Sequence, residues 1–195
     1  MALLAAVFAA GSLAIVPGPA VCDESGRTVR FHSVDTLRDT ISAFRDPSGA
    51  IVVNARGASK DDGYTRQDIC PAIPGQPWLV VILSGDDGGD TIGVPTLAAE
   101  VKARLNGEGT VDTLEGHAGR DELRGGSSHD TMSGFEGDDE LIDRDGVDEA
   151  LGGRGDDVIK VDDGGRQADV VRCGSGRDLA FADRVDRLSG CEKVR

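Results

Sequence analysis

Asp112, Asp121, Asp130, Asp139, Asp148 and Asp157 stand nine residues apart without a break. Two places after each comes an apolar residue: Leu114, Leu123, Met132, Leu141, Ala150 and Ile159. Asp90 with Ile92 fits the same frame upstream. Asp169 with Val171 and Asp178 with Ala180 fit it downstream, after three extra residues, Val161–Asp163, shift the phase. A carboxylate is a hard oxygen ligand, so the chemistry open to a periodic series of them is the binding of hard cations. An acidic, solvating, disordered tract is the bland alternative, but acidic composition by itself keeps no nine-residue beat.

The other places in the frame say how such residues would be positioned. With Asp at the sixth place, Gly recurs at the first, second and fourth, where it lets the backbone take positive φ and bring carbonyl groups close to a common centre. The residues around the eighth place have β character and present one apolar side chain inward. A nine-residue unit of one tight turn and one short strand cannot bury that side chain alone, whereas stacked copies can, and a solenoid follows.

The frames GHAGRDELR, GGSSHDTMS, GFEGDDELI and GGRGDDVIK resemble the RTX-type, or haemolysin-type, nonapeptide repeat of secreted bacterial calcium-binding proteins. The resemblance covers Gly85–Phe181. It implies an all-β fold, a right-handed parallel β-roll or β-helix solenoid with two nonapeptides per turn and Ca2+ between stacked turns. The metal ligands implied are Asp90, Asp112, Asp121, Asp130, Asp139, Asp148, Asp157, Asp169 and Asp178. Aspartates eighteen residues apart would then share ions, Asp112–Asp130–Asp148 along one edge and Asp121–Asp139–Asp157 along the other, with the three extra residues bulging outward. Strands stack about 4.8 Å apart. Carboxylates at that spacing repel, and a divalent ion between them reverses the sign. Calcium suits the site better than magnesium, because it accepts more oxygens in a looser shell. The frame DRDGVDEAL departs most from the pattern, with Asp143 and Arg144 in place of two glycines, and a weak or absent ion is expected there. As an EF-hand loop it fails, because its Gly comes too early and no Glu stands at the twelfth place.

Charge and composition support this reading. Residues 85–163 hold 22 acids and 7 bases, and so nearly all of the formal net charge of −14. Such a block repels phosphate backbones, which argues against nucleic-acid binding. Aromatic content is only 4%, so the core must be built from small aliphatic side chains. Residues 1–20 read as a signal peptide, with an apolar run too short to span a bilayer and small residues before Cys22. A secreted, extracellular monomer without a membrane span is expected, its partners being calcium ions and an unidentified cell-surface or matrix component. Four cysteines allow three pairings; the nearest-neighbour scheme, Cys22–Cys70 with Cys173–Cys191, would staple both ends.

Outside the repeats, residues 21–84 read as an N-terminal cap region. Val34, Leu37, Ile41 and Phe44 share a helical face over Ser33–Phe44, and the strand-like runs AIVVNA and WLVVILS follow. A small separate α+β domain is the alternative. Thr96–Leu105 reads as a second short helix, a helical insertion at about 95–106 within the solenoid that spans 85–181. Residues 182–195 read as a C-terminal cap closed by a disulfide. No HExxH, GxSxG or phosphate-loop motif occurs, so the chain is not expected to be an enzyme. The alternative is a calcium-dependent β-helix polysaccharide lyase, with Arg120, Arg124 or Arg154 as its base.

Overall fold

A computed structural model describes residues 20–23, 27–32, 38–57, 65–72 and 79–195. Apart from Ala20, the expected leader lies outside these residues, as do Val34 and Leu37 of the expected cap helix.

Short runs with every second residue apolar become strands whose inward side chains stack from turn to turn. The N-terminal end contains β1 (Val21–Asp23), β2 (Thr28–His32), β3 (Asp39–Arg45), β4 (Ile51–Gly57) and β5 (Thr65–Cys70). The coil proper follows with β6 (Val80–Ser84), β7 (Thr91–Thr96), β8 (Lys102–Glu108), β9 (Thr113–Glu115), β10 (Glu122–Gly126), β11 (Thr131–Glu136) and β12 (Glu140–Ile142). It continues through β13 (Glu149–Arg154), β14 (Val158–Lys160), β15 (Val170–Ser175), β16 (Leu179–Phe181), β17 (Arg187–Ser189) and β18 (Lys193–Val194). From β6 onward the chain alternates between two sheets. One has the order β1-β2-β6-β8-β10-β12-β14-β16-β18, the other β17-β15-β13-β11-β9-β7-β3-β4-β5. All pairings are parallel except β1 with β2, β3 with β4 and β4 with β5. The result is an all-β parallel solenoid.

The core is two facing columns. In the first sheet Leu83, Leu105, Leu123, Leu141, Ile159 and Ala180 lie in register. In the second, Ile41, Ile92, Leu114, Met132, Ala150 and Val171 do so, although the last pair are twenty-one residues apart. Every eighth-place residue of the frame is fully buried. Burying one Leu or Ile is worth roughly 1.5–3 kcal/mol. Each rung therefore gains from its neighbours what a lone nonapeptide cannot supply.

Neither expected helix forms; the described residues contain none. Asp39–Arg45 is β3, hydrogen-bonded on one side to β4 and on the other to β7, with Ile41 and Ala43 buried at a period of two. Thr96–Leu105 is split between the end of β7, a turn closed by Val101 N–H donating to the Ala98 carbonyl, and the start of β8. Leu97, Val101 and Leu105 are buried as their spacing requires, but in a corner and a strand. Pairing partners on both sides of β3 and β8 satisfy the backbone more fully than an isolated short helix could, and local helical periodicity yields. The N-terminal end is instead finished by antiparallel strands, β1 on one sheet and the β3–β4–β5 meander on the other. The Cys22–Cys70 disulfide joins β1 to β5 and so ties the two sheets together. Cys173–Cys191 ties β15 to the segment before β18.

The phase-shifting residues also depart from expectation. Val161 is fully buried and its N–H donates to the Phe181 carbonyl, so it continues the stack. The excursion runs through residues 162–168, where Gly164 and Gly165 have positive φ with open space around them. Asp183 holds this loop by accepting the N–H groups of Gly164 and Gly165 at 2.8 Å.

Candidate metal centre

β7 and β9 to β16 each begin just after a sixth-place aspartate, at the corner where the coil turns into a sheet. All nine aspartates singled out from the sequence are buried at these corners. They form two rails. Along the second sheet, one oxygen of each carboxylate accepts the backbone N–H of the aspartate one turn earlier. Asp112 accepts from Asp90 at 2.6 Å, Asp130 from Asp112 at 2.7 Å, Asp148 from Asp130 at 2.9 Å and Asp169 from Asp148 at 2.8 Å. Along the first sheet, Asp139 accepts from Asp121 at 2.7 Å, and Asp157 from Asp139 and Asp178 from Asp157, both at 2.9 Å. The steps of 21 residues after Asp148 and Asp157 resume the stack.

Sequence reasoning missed the ends of these rails. Asp39, outside any nonapeptide, donates its N–H to Asp90 Oδ1 at 2.8 Å and so stands one rung before it. Asp186 accepts from Asp169 at 3.1 Å and Glu192 from Asp178 at 2.8 Å. These three occupy rail positions without the glycine pattern, and only the register of the sheets reveals them. Ala103 takes the rung before Asp121, donating its N–H to Asp121 Oδ1 at 3.2 Å.

The N–H bond anchors Oδ1 and leaves Oδ2 free to point elsewhere. In Asp112, Asp130, Asp139, Asp157 and Asp178 that second oxygen is buried with no hydrogen-bond partner. The first-place glycines show what it faces. A Cβ placed on Gly107 would come under 3.0 Å from Asp112 Oδ2 and from the Gly125 carbonyl oxygen. On Gly134 it would meet Asp139 Oδ2 and the Gly152 carbonyl in the same way, and on Gly152 Asp157 Oδ2 and the Cys173 carbonyl. A side-chain oxygen and a main-chain oxygen from the next turn thus converge on one small space that glycine leaves open. First-place glycine is needed for this close approach. The left-handed backbone belongs to the second place (Gly126, Gly153, Gly174) and the fourth (Gly137, Gly155, Gly176). Glu108, Phe135 and Ser128 adopt it without being glycine. At Asp112, Asp139 and Asp157 the orphan oxygen thus lies beside a carbonyl of the next turn, a partner that the spacing of the aspartates did not indicate.

The electrostatics are those of a site lacking countercharge. Burial pushes Asp90 and Asp112 up to about 7 and Asp139 up to about 8, and the neighbouring carboxylates of each rail add to the rise. Burial raises Asp148 and Asp157 to about 6. Asp169 and Asp178 move the same way. The backbone N–H bonds oppose these shifts without cancelling them. Buried unpartnered carboxylate oxygens beside converging carbonyls fit a hard cation that takes several oxygens in an adaptable shell.

Two rungs deviate. At Asp121 the second oxygen accepts the His117 N–H at 2.7 Å, and His117 Nδ1 lies 2.9 Å from the same carboxylate. Burial alone would push the imidazole down, but the Asp121 bond and charge more than offset it and hold His117 above its ordinary value. A protein donor already satisfies this rung. At the DRDGVDEAL frame, Asp143 replaces the first-place glycine and brings a further buried carboxylate. Asp130, Asp143 and Asp148 each offer an oxygen, all within 4.8 Å of one another. Burial, then the charges of Asp148 and Asp130, push Asp143 up to about 8.

The basic residues considered for catalysis lie elsewhere. Arg124 pairs with Glu122 at 2.7 Å and Arg154 with Glu136 at 3.0 Å, both on the exposed face of the coil.

The described residues form a parallel β-solenoid with buried carboxylate rails at its corners. The RTX calcium-binding nonapeptide repeat (4 copies) family model matches residues 106–141 and 133–167, and the chain carries these repeats. No curated protein matches the chain.

Proposed function

We propose that this chain is a secreted calcium-binding repeat protein, whose right-handed solenoid is folded and held by Ca2+ at the corners of stacked turns, and that its role is structural or interactive. The carrying observation is the row of buried Oδ2 atoms without a donor, which at Asp112, Asp139 and Asp157 converge with a main-chain carbonyl of the next turn. Asp112, Asp130, Asp139, Asp157 and Asp178 are the leading ligands. Asp90, Asp148 and Asp169 extend the rails, and Asp121 is the weakest of the nine because His117 already meets it. Two disulfides support a life in an oxidising compartment.

The ion's contribution in this reading is electrostatic. Each bound cation offsets a buried negative charge that the coil otherwise tolerates only by protonation, so binding and folding are one equilibrium. Far-ultraviolet circular dichroism of the chain during a calcium titration after chelation tests it. The β signal should rise with calcium and collapse again with chelator. A β signal and melting temperature indifferent to both would overturn the proposal.

A further inference from the structure

Among the described residues, the frame that looks least like its neighbours holds the densest cluster of ligand oxygens. Over Gly85, Gly107, Gly116, Gly134 and Gly152 the space at the first place receives the oxygen of one carboxylate and one carbonyl. Over Gly125 it receives two carboxylate oxygens, Asp130 Oδ2 and Asp143 Oδ2, because the residue one turn on is Asp143. Both atoms are buried and have no hydrogen-bond partner. Asp148 supplies a third carboxylate oxygen within 4.8 Å of the other two.

Each member of the cluster is fixed by a backbone N–H. Asp130 Oδ1 accepts the Asp112 N–H at 2.7 Å. Asp148 Oδ1 accepts the Asp130 N–H at 2.9 Å. Asp143 Oδ1 accepts the N–H of Arg144, the next residue, at 2.8 Å, which turns Oδ2 inward over Gly125. The Arg144 guanidinium does not neutralise the cluster; its Nε faces Asp162 on the exposed side at 3.8 Å.

We propose that Asp130, Asp143 and Asp148 form a three-carboxylate calcium site, the tightest on the chain, in the frame where repeat consensus is poorest. This rests on the calcium reading above and adds a ligand, Asp143, that the nonapeptide pattern does not contain. Two physical terms support it. Affinity for calcium rises with the number of charged oxygens and with the rigidity of the site. Here Asp143 adds a carboxylate to those of the rail, where the other frames have a glycine, and the anchoring bonds set their orientation before the ion arrives.

The test is calcium competition against a chromophoric chelator, with ions counted by native mass spectrometry, on the full chain and three variants. The wild type should show one ion held on the order of tenfold tighter than the rest. Asp143→Asn should abolish that tight class. Asp143→Gly, which restores the residue of the neighbouring frames, should keep the ion count and bring the tight constant into the range of the others. Asp157→Asn should lose one ordinary ion and leave the tight one in place. If Asp143→Asn fails to fold, Asp143→Gly still decides the question. A single affinity class in the wild type, or a tight class that survives Asp143→Gly, would overturn the proposal while leaving calcium binding intact. A wild-type chain that binds no calcium would overturn the functional reading, and this site with it.

Discussion

Glycine does two separable jobs along this coil, and single substitutions should separate them. Gly107 leaves room for converging oxygens, so Gly107→Ala puts a methyl group where Asp112 Oδ2 and the Gly125 carbonyl meet. Native mass spectrometry should find one fewer calcium ion on that variant. Gly164 has φ 84° and nothing within 4 Å of its absent side chain. Gly164→Ala should therefore cost only the left-handed backbone strain, about 1–2 kcal/mol, with no ion lost. Asp139 carries a different paired prediction. Asn at this place keeps an oxygen for the Asp121 N–H but removes a buried charge whose carboxyl is pushed up to about 8. Asp139→Asn should raise the melting temperature in chelator and lower it in calcium. A shift of the same sign in both conditions would show that the carboxylate matters for packing alone.

At the scale of elements, short strands gain their stability from register. β9, β12, β14 and β16 have three residues each and one fully buried side chain each, Leu114, Leu141, Ile159 and Ala180. None could persist alone. The ends of the stack lack a neighbour on one side, and the disulfides act there. Replacing Cys173 and Cys191 by Ser removes a bridge spanning 18 residues. The loss should be about 3 kcal/mol. Amide exchange should accelerate first in β17 and β18, while β10–β13 stay protected. Equal acceleration throughout would mean that the bridge stabilises the whole coil and not its end.

For the molecule as a whole, the buried rails tie folding to protons, and under the proposed function calcium acts in the opposite direction. Without calcium, the folded chain holds its buried carboxyls above their ordinary range, six of them at about 6 to 8. An unfolded Asp releases its proton near pH 3.9. Between that value and about pH 8 the folded state binds more protons than the unfolded one, so stability must fall as pH rises. In chelator, the melting temperature should therefore drop from pH 5 to pH 8. In saturating calcium this slope should flatten or reverse, since the ion needs the deprotonated carboxylates. A melting temperature rising with pH in chelator would contradict the buried-carboxylate account.

Much of the coil was legible in the residues themselves. The nine-residue beat placed all nine aspartates at buried corners and all nine eighth-place side chains in the core, because a repeat's register is local information copied along the chain. The two short segments with helical spacing were misread for the same reason. Their periodicity is local, whereas the hydrogen bonds that made them β3 and β8 come from other strands, in the case of β7 more than fifty residues away from its partners in β3. Asp39, Asp186 and Glu192 as rail ends, His117 closing the Asp121 rung, and Asp143 joining Asp130 and Asp148 were likewise decided by the tertiary structure. Each depends on which residue lies one turn above or below, a distance of about 4.8 Å in space. Once the coil departs from its eighteen-residue turn, or a residue departs from the repeat, spacing along the chain no longer reports that neighbour.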